Sequence, residues 1–222
     1  MPEATIRNPG RYRIQLPVVH RGAVSPTAPV GVGWTRDLSE KGVCVELNQR
    51  LRPKQAVRIR LQTDGGPIDV AGTVAWSGGT PTAQGGIPHG VEFADLPPDQ
   101  FRALRDLLLR KGDARQTGIR LPLEVAVTCR PHEGDGRSLE GATGDISQGG
   151  MLLLLQERLE PATALTLTLR TPSGPLTAEG TVIWADPRQA QAGKGSVRHG
   201  IRFTALGWST SLSLGLVLAE PA

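Results

Sequence analysis

Apolar and polar residues alternate in short runs along most of the chain. Ile14, Leu16 and Val18 alternate with Arg13, Gln15 and Pro17. Val43, Val45 and Leu47 form a second set, and Val57, Ile59 and Leu61 alternate with Arg58 and Arg60. A period of two is the signature of a strand with one buried face. Ile68, Val70, Val74 and Trp76 carry the pattern through Gly72, where a bulge or bend is expected. Val91 and Phe93 close the set. One segment has a helical period instead. LPPDQFRALRDLLLRK opens with Pro98 and Asp99 and puts Phe101, Leu104, Leu107 and Leu108 on one face. Gly112 is its expected stop.

The pattern then recurs. DLSEKGVCVEL at Asp37–Leu47 is echoed by DISQGGMLLLL at Asp145–Leu155, 108 residues on. GTVAW at Gly72–Trp76 returns as GTVIW at Gly180–Trp184, also 108 on. HGVEF at His89 returns as HGIRF at His199, 110 on, and RYRIQLPV at Arg11 as RLPLEVAV at Arg120, 109 on. Four collinear echoes at a nearly constant offset predict two copies of one domain, bounded at 1–112 and 113–222, with GDARQTG at 112–118 as linker. The second copy repeats the alternation at Leu121–Val127, Met151–Leu155, Leu165–Leu169, Leu176–Trp184 and Ile201–Phe203. Five or six short strands with glycine-rich turns predict a small antiparallel barrel in each copy, which leaves no sheet edge open. GWSTSLSLGLVLA, after Phe203, reads equally as a short helix or as a strand.

Composition agrees and adds bounds. Gly 28 and Pro 18 favour many turns over long helices. Aromatics are 4% of the chain, so the cores must be aliphatic. The longest run of large apolar residues, Met151–Leu155, is far short of the ~20 needed to cross a bilayer as a helix. The start, MPEATIRNPG, has no apolar leader core, and Cys44 and Cys129 are lone thiols. The expectation is a cytoplasmic protein without membrane insertion. A net charge of +4 is too small to indicate nucleic-acid binding, and there are no Lys-rich tracts. Of the 25 basic residues 21 are Arg, the better fork for planar anions, although a GC-rich coding bias raises Arg, Ala, Gly and Pro together.

Two motifs carry candidate chemistry. D-x-S-x-x-G occurs as Asp37, Ser39, Gly42 and as Asp145, Ser147, Gly150. Short polar side chains suit a turn leading into a strand, and glycine permits positive φ. A chance match is expected only ~0.05 times in such a chain, so two at equivalent places point to a shared role. R-x-x-x-R at Arg7 and Arg11 gains meaning only from its place just before the first strand. Two guanidinium groups there can clasp phosphate oxygens and stack on a purine. Guanine offers O6 and N7 to an Arg fork, and its N1 and N2 donors suit a carboxylate such as Asp37. A compact guanine dinucleotide with two phosphates matches this set. His20, His89, His132 and His199 have no metal-ligand spacing, so no metal is expected. His89 and His199 read as a shared fold position, Trp76 and Trp184 as core or rim packing, and Asp64 and Asp69 as solvated. G-x-S-x-G, P-loop and H-E-x-x-H motifs are absent and no nucleophile–base set is visible, which argues against an enzyme.

RNPGR, DLSEKG, GTVAW and HGVEF, in this order, resemble the PilZ domain, and the chain resembles a tandem PilZ protein over nearly its whole length. The resemblance implies a mainly β fold of two tandem six-stranded antiparallel barrels, with a C-terminal helix on the first linking to the second. It implies cyclic di-GMP as ligand, with no separate cofactor. Arg7 and Arg11 would clasp phosphates and stack on guanine, Asp37 and Ser39 would hydrogen-bond a guanine and its neighbouring phosphate, and Gly42 would permit the turn. Ile6 stands where relatives that bind an intercalated ligand dimer carry a further Arg, implying one ligand per site. The second copy departs from the pattern: aligning Arg120 with Arg11 sets Gln116 opposite Arg7, with Arg115 one residue early. Its site of Arg115, Arg120, Asp145, Ser147 and Gly150 is expected to be weaker. The whole reads as a cyclic di-GMP receptor acting through a protein partner or a homodimer and not through nucleic acid. The competing reading is a PilZ-like interaction scaffold that binds no nucleotide.

Overall fold

The computed structural model describes residues 10–23, 30–111, 118–134, 136–186 and 196–219. The chain divides into two compact units, Met1–Thr117 and Gly118–Ala222. The first contains β1 (Pro17–Gly22), β2 (Gly31–Ser39), β3 (Gly42–Leu47), β4 (Ala56–Thr63), β5 (Gly66–Ser77), β6 (Ile87–Phe93) and α1 (Pro98–Lys111). Its strands close antiparallel in the order β1-β2-β3-β6-β5-β4. The second contains β7 (Leu121–Pro122), β8 (Ala126–Pro131), β9 (Leu139–Ser147), β10 (Gly150–Leu155), β11 (Ala164–Thr171), β12 (Gly174–Ala185), β13 (Val197–Ala205) and α2 (Trp208–Ala219). There β10-β13-β12-β11-β8-β9 form the ring, β9 pairs back with β10 to close it, and β7 adds a two-residue rung on β9. Each unit is thus a closed six-stranded barrel, which leaves no edge to template association.

The alternating residues fill the interiors. Val57, Ile59 and Leu61 of β4 face Ile68 and Val70 of β5, and all are buried. Leu165, Leu167 and Leu169 do the same in the second barrel. Gly72 does not bulge in the first: it pairs with both Val57 and Phe93, and the shift falls at Val74/Trp76. A Cβ at Gly72 would lie 2.5 Å from the Glu92 carbonyl oxygen, so glycine allows strand contact there. At the equivalent Gly180 the register does slip, between Glu179 and Gly180. Ile14 and Leu16 are buried but precede β1, and Tyr12 bridges to Leu38.

Both helices dock on the fifth strand of their own barrel. Leu104, Leu107 and Leu108 of α1 are buried, whereas Phe101 is partly exposed. Polar contacts tie α1 to the β4–β5 hairpin: Asp69 N–H donates to Gln100 Oε1 at 2.9 Å, and Arg110 lies 3.6 Å from Asp64. Asp69 also pairs with Arg60, so neither aspartate is simply solvated. The segment after Phe203 is a helix. Ser211, Leu214, Gly215 and Leu218 are buried at three- and four-residue spacing, one stripe of a helix despite the alternating serines.

The repeated histidines are structural. His89 Nδ1–H donates to the Ile87 carbonyl at 2.8 Å, and its Nε2 accepts the Leu51 N–H at 3.0 Å. His199 Nε2 likewise accepts the Leu159 N–H at 3.0 Å. Each holds the connection after the third barrel strand against the barrel end. Burial lowers the pKa of both rings, against the opposing effect of their backbone hydrogen bonds. His20 is buried against Gly31, and burial followed by the field of His89 lowers its pKa to about 4.

The unfolded chain therefore takes up a proton on His20 more readily than the folded one between pH 6.5 and about 4. Its contribution is complete above pH 6.5 and is lost as pH falls through that window, by up to about 3 kcal/mol. The urea midpoint of the full chain should drop between pH 7 and pH 5, and His20→Gln should flatten that slope. A midpoint independent of pH in the wild type would contradict the assignment.

Candidate functional site

Asp37 owes its position to a bulge. The β2–β3 register runs Thr35↔Val45 and then Asp37↔Cys44, so Arg36 is the extra residue. A bulge inserts one unpaired residue and re-aims its neighbours. Here Arg36 and Asp37 both stay at the surface between the buried Thr35 and Leu38. The second barrel repeats this: Asp145 pairs with Leu152 and Thr143 with Leu153, which leaves Gly144 as the extra residue.

A buried hydroxyl then fixes the approaching chain. Thr35 Oγ1 accepts the Leu16 N–H at 2.8 Å and donates to the Ile14 carbonyl, while Thr35 N–H donates to the Leu16 carbonyl at 2.9 Å. Thr143 holds Leu123 and Val125 in the same way. Beyond this clamp Tyr12 exchanges both backbone hydrogen bonds with Leu38 at 2.9 Å. That register sets Arg11 diagonally across from Asp37. Its Nη1 lies 2.5 Å from Asp37 Oδ1, and Arg120 Nη1 lies 2.7 Å from Asp145 Oδ1. The Arg11 side chain is 56% exposed, so most of its donors remain open to a ligand.

The other motif residues shape the turn. Ser39 Oγ donates to the Gly42 carbonyl at 3.1 Å and accepts the Lys41 N–H at 3.3 Å, and the residue is buried. Ser147 Oγ donates to the Gly150 carbonyl at 3.2 Å. The glycines do not serve a positive φ, contrary to the expectation from sequence. A Cβ on Gly42 would lie 2.5 Å from the Val91 carbonyl oxygen, and one on Gly150 2.1 Å from that of Ile201. Glycine lets the third strand lie hard against the sixth. Arg7 and Arg115, the remaining members of the two clasps, lie outside the described residues.

Sequence reasoning missed the far wall of the site. Asp37 pairs with Cys44, Cys44 with Gly90, and Gly90 with Trp76, which forms one cross-strand row on the outside of the barrel. Trp76 is not core but 46% exposed. Its indole lies across Gly90, where a Cβ would come within 2.0 Å of Nε1. The second barrel builds the same row from Asp145, Leu152, Gly200 and Trp184. The repeated Trp and the repeated Gly were both visible in the echoes, but their adjacency depends on register. The row carries an acid and an arginine at one end and an aromatic plate at the other. It has no activated nucleophile: burial, then Asp37, push the Cys44 thiol up to about 11. Beside it Glu46 is buried and its carboxyl pKa raised, with Arg36 at 3.4 Å opposing that shift. Among the described residues no group of three His, Cys, Asp or Glu side chains converges as a metal site. Nor is any helix there long and apolar enough to cross a membrane.

A sequence model of the PilZ domain matches residues 5–110 and again 114–207. No curated protein matches the chain. Similar solved structures include the Bacillus subtilis inhibitor of motility MotI/DgrA, at 12% identity and TM-score 0.37, covering 91% of this chain and 95% of that one. The PilZ domain of CeSA from a cellulose synthesizing bacterium is 20% identical, with TM-score 0.36, covering 46% and 96%. The PilZ domain of YcgR from Escherichia coli, with c-di-GMP, is 16% identical, with TM-score 0.39, covering 48% and 91%.

Thr35→Val keeps the side-chain volume but leaves the Leu16 N–H and Ile14 carbonyl without their partner. Orphaned buried groups cost about 1–3 kcal/mol. Urea unfolding should show that loss, with faster exchange of the Leu16 amide, and Thr35→Ser should restore both. Wild-type stability and exchange in the valine variant would show that the clamp does not hold the arm.

Proposed function

The chain belongs to the PilZ domain family, and we propose that it is a receptor for cyclic di-GMP whose first barrel holds the stronger site. The observation that carries this reading is the Arg11–Asp37 pair at one end of a row that finishes in the exposed plate of Trp76. Each end meets one part of a guanine dinucleotide. Asp37 accepts from guanine N1 and N2, donors that no phosphate-only ligand offers. Arg11 keeps donors in hand and, with Arg7, clasps phosphate oxygens in charge-assisted hydrogen bonds. Trp76 gives a base a face to stack on. Ser39 and Gly42 act indirectly, by holding the turn that fixes Asp37.

Binding draws the chain that precedes the Tyr12–Leu38 bridge, with Arg7, over the first barrel, with that bridge and the Thr35 clamp as the fixed points behind it. The receptor transmits this through contacts of that arm with the rest of the chain or with a partner protein. Such a switch runs only as far as the ligand prefers one arrangement over the other. The second barrel retains Arg120, Asp145 and Trp184 but has Gln116 where the first has Arg7. Loss of one charge-assisted bond costs ~1.5–3 kcal/mol, so its site should be about ten- to a hundredfold weaker.

Calorimetric titration of cyclic di-GMP into the full chain should show one dominant site. Arg11→Ala and Asp37→Ala should each weaken it at least tenfold, while Arg120→Ala should leave it unchanged. A flat trace, or an Arg11→Ala affinity equal to wild type, would refute the reading and favour a scaffold that binds no nucleotide.

A further inference from the structure

The other half of the first barrel carries a separate concentration of charge. In the ring order β4 lies opposite β3, flanked by β1 and β5, and the surface these three share uses Asp69–Ala71 of β5 and not the Trp76 end of that strand. Outward residues of these strands form two adjacent cross-strand rows, Arg21–Arg58–Ala71 and Val19–Arg60–Asp69. With Pro97 they line a groove of about 490 Å³. That is the size of a small-molecule site.

The arginines in it are not equivalent. Arg60 donates from Nε and Nη2 to both Asp69 carboxylate oxygens, at 2.8 and 2.9 Å, and is neutralised. Arg21 and Arg58 are direct cross-strand partners, and among the described residues neither makes an ion pair or a side-chain hydrogen bond. Like charges directly opposed across a sheet destabilise it. The fold does not require them. In the second barrel the matching rows are Arg130–Thr166–Glu179 and Thr128–Thr168–Thr177. One cation there shares its row with one acid, and Glu179 is further bonded to Thr166 and His132. The first barrel has alanine in place of that acid and a second arginine in place of the threonine beside it.

We infer that this groove is a second anion site of the first barrel, which takes a small phosphate ester with its dianion between Arg21 and Arg58. Two guanidinium forks match the oxygens of a phosphate, whereas a single carboxylate offers too few. Val19, Ala71 and Pro97 give the carbon part of the ester an apolar wall, and Arg60, held by Asp69, forms the rim. The site does not depend on the cyclic di-GMP reading.

The test uses the full chain with three probes: inorganic phosphate, pyrophosphate and phenyl phosphate. Amide chemical shifts of residues 19–22 and 58–60 should move saturably with pyrophosphate. Phenyl phosphate should bind at least threefold tighter than inorganic phosphate. Arg58→Thr, the residue the second barrel carries at that place, should weaken pyrophosphate at least tenfold, and so should Arg21→Gln. Arg130→Gln, in the second barrel, should leave pyrophosphate affinity within twofold of wild type. Pyrophosphate affinity within twofold of wild type in both groove variants would overturn the site. So would shifts spread equally over Arg130 and the other surface arginines, or displacement of pyrophosphate by cyclic di-GMP. Equal affinity for phenyl phosphate and inorganic phosphate would overturn the assignment to an ester.

Discussion

A buried threonine hydroxyl makes the site possible. A bulge at Arg36 brings Asp37 to the surface, but a bulge also interrupts the ladder that would hold the neighbouring segment. Residues 13–16 run beside the interruption before β1 begins, and their backbone groups must find partners inside the protein. Thr35 supplies both a donor and an acceptor from within the barrel wall. The arm can then be fixed at Leu16, registered at Tyr12 and still end in an arginine with open donors. Without the clamp the carboxylate would be displayed but the guanidinium opposite it would have no defined place.

The duplication separates positions that recur in both barrels from positions that differ. Thr35 and Thr143, Arg11 and Arg120, Asp37 and Asp145, Gly90 and Gly200, Trp76 and Trp184 occur in both barrels in the same geometry. Other positions on the same framework differ freely. Cys44 becomes Leu152 in the floor of the row, and Glu46 becomes Leu154. Val43, Val45 and Val57 become Met151, Leu153 and Leu165, all buried. The aliphatic interior is therefore adjustable in detail, as packed cores are when volume and pattern are kept. The acid–arginine end and the aromatic end of each row do not vary between the copies.

Much of this was legible in the residues. The echoes at Asp37, Gly72 and His89 set the repeat, and alternation at Val57–Leu61 and Ile68–Val70 marked the strands. The first half of β2 was not legible: Gly31 and Gly33 weaken the strand signal, and the bulge at Arg36 breaks the period on which such reading relies. Gly42 reads from sequence as a residue that lets a turn adopt positive φ, because its closeness to Val91 is a long-range fact that no local pattern carries. The same holds for Trp76. An indole near the end of a strand reads as packing until register places it over a glycine. Thr35 and Thr143 stand two residues before each motif aspartate, so the signal was present, but only the folded chain shows the backbone groups they serve. The helix α2 was ambiguous because its serines mimic a strand, and burial at three- and four-residue spacing settles it.

The contact between Trp76 and Gly90 has an evolutionary side. The indole rests on bare backbone, so its height above the sheet is set by a hydrogen atom. Any methyl at that position must lift the ring, and because the ring is exposed it can rise without disturbing the interior. One codon can thus alter the aperture between plate and carboxylate while the barrel stays whole. With two copies in one chain, such a change can be tried in one barrel while the other keeps its original gauge.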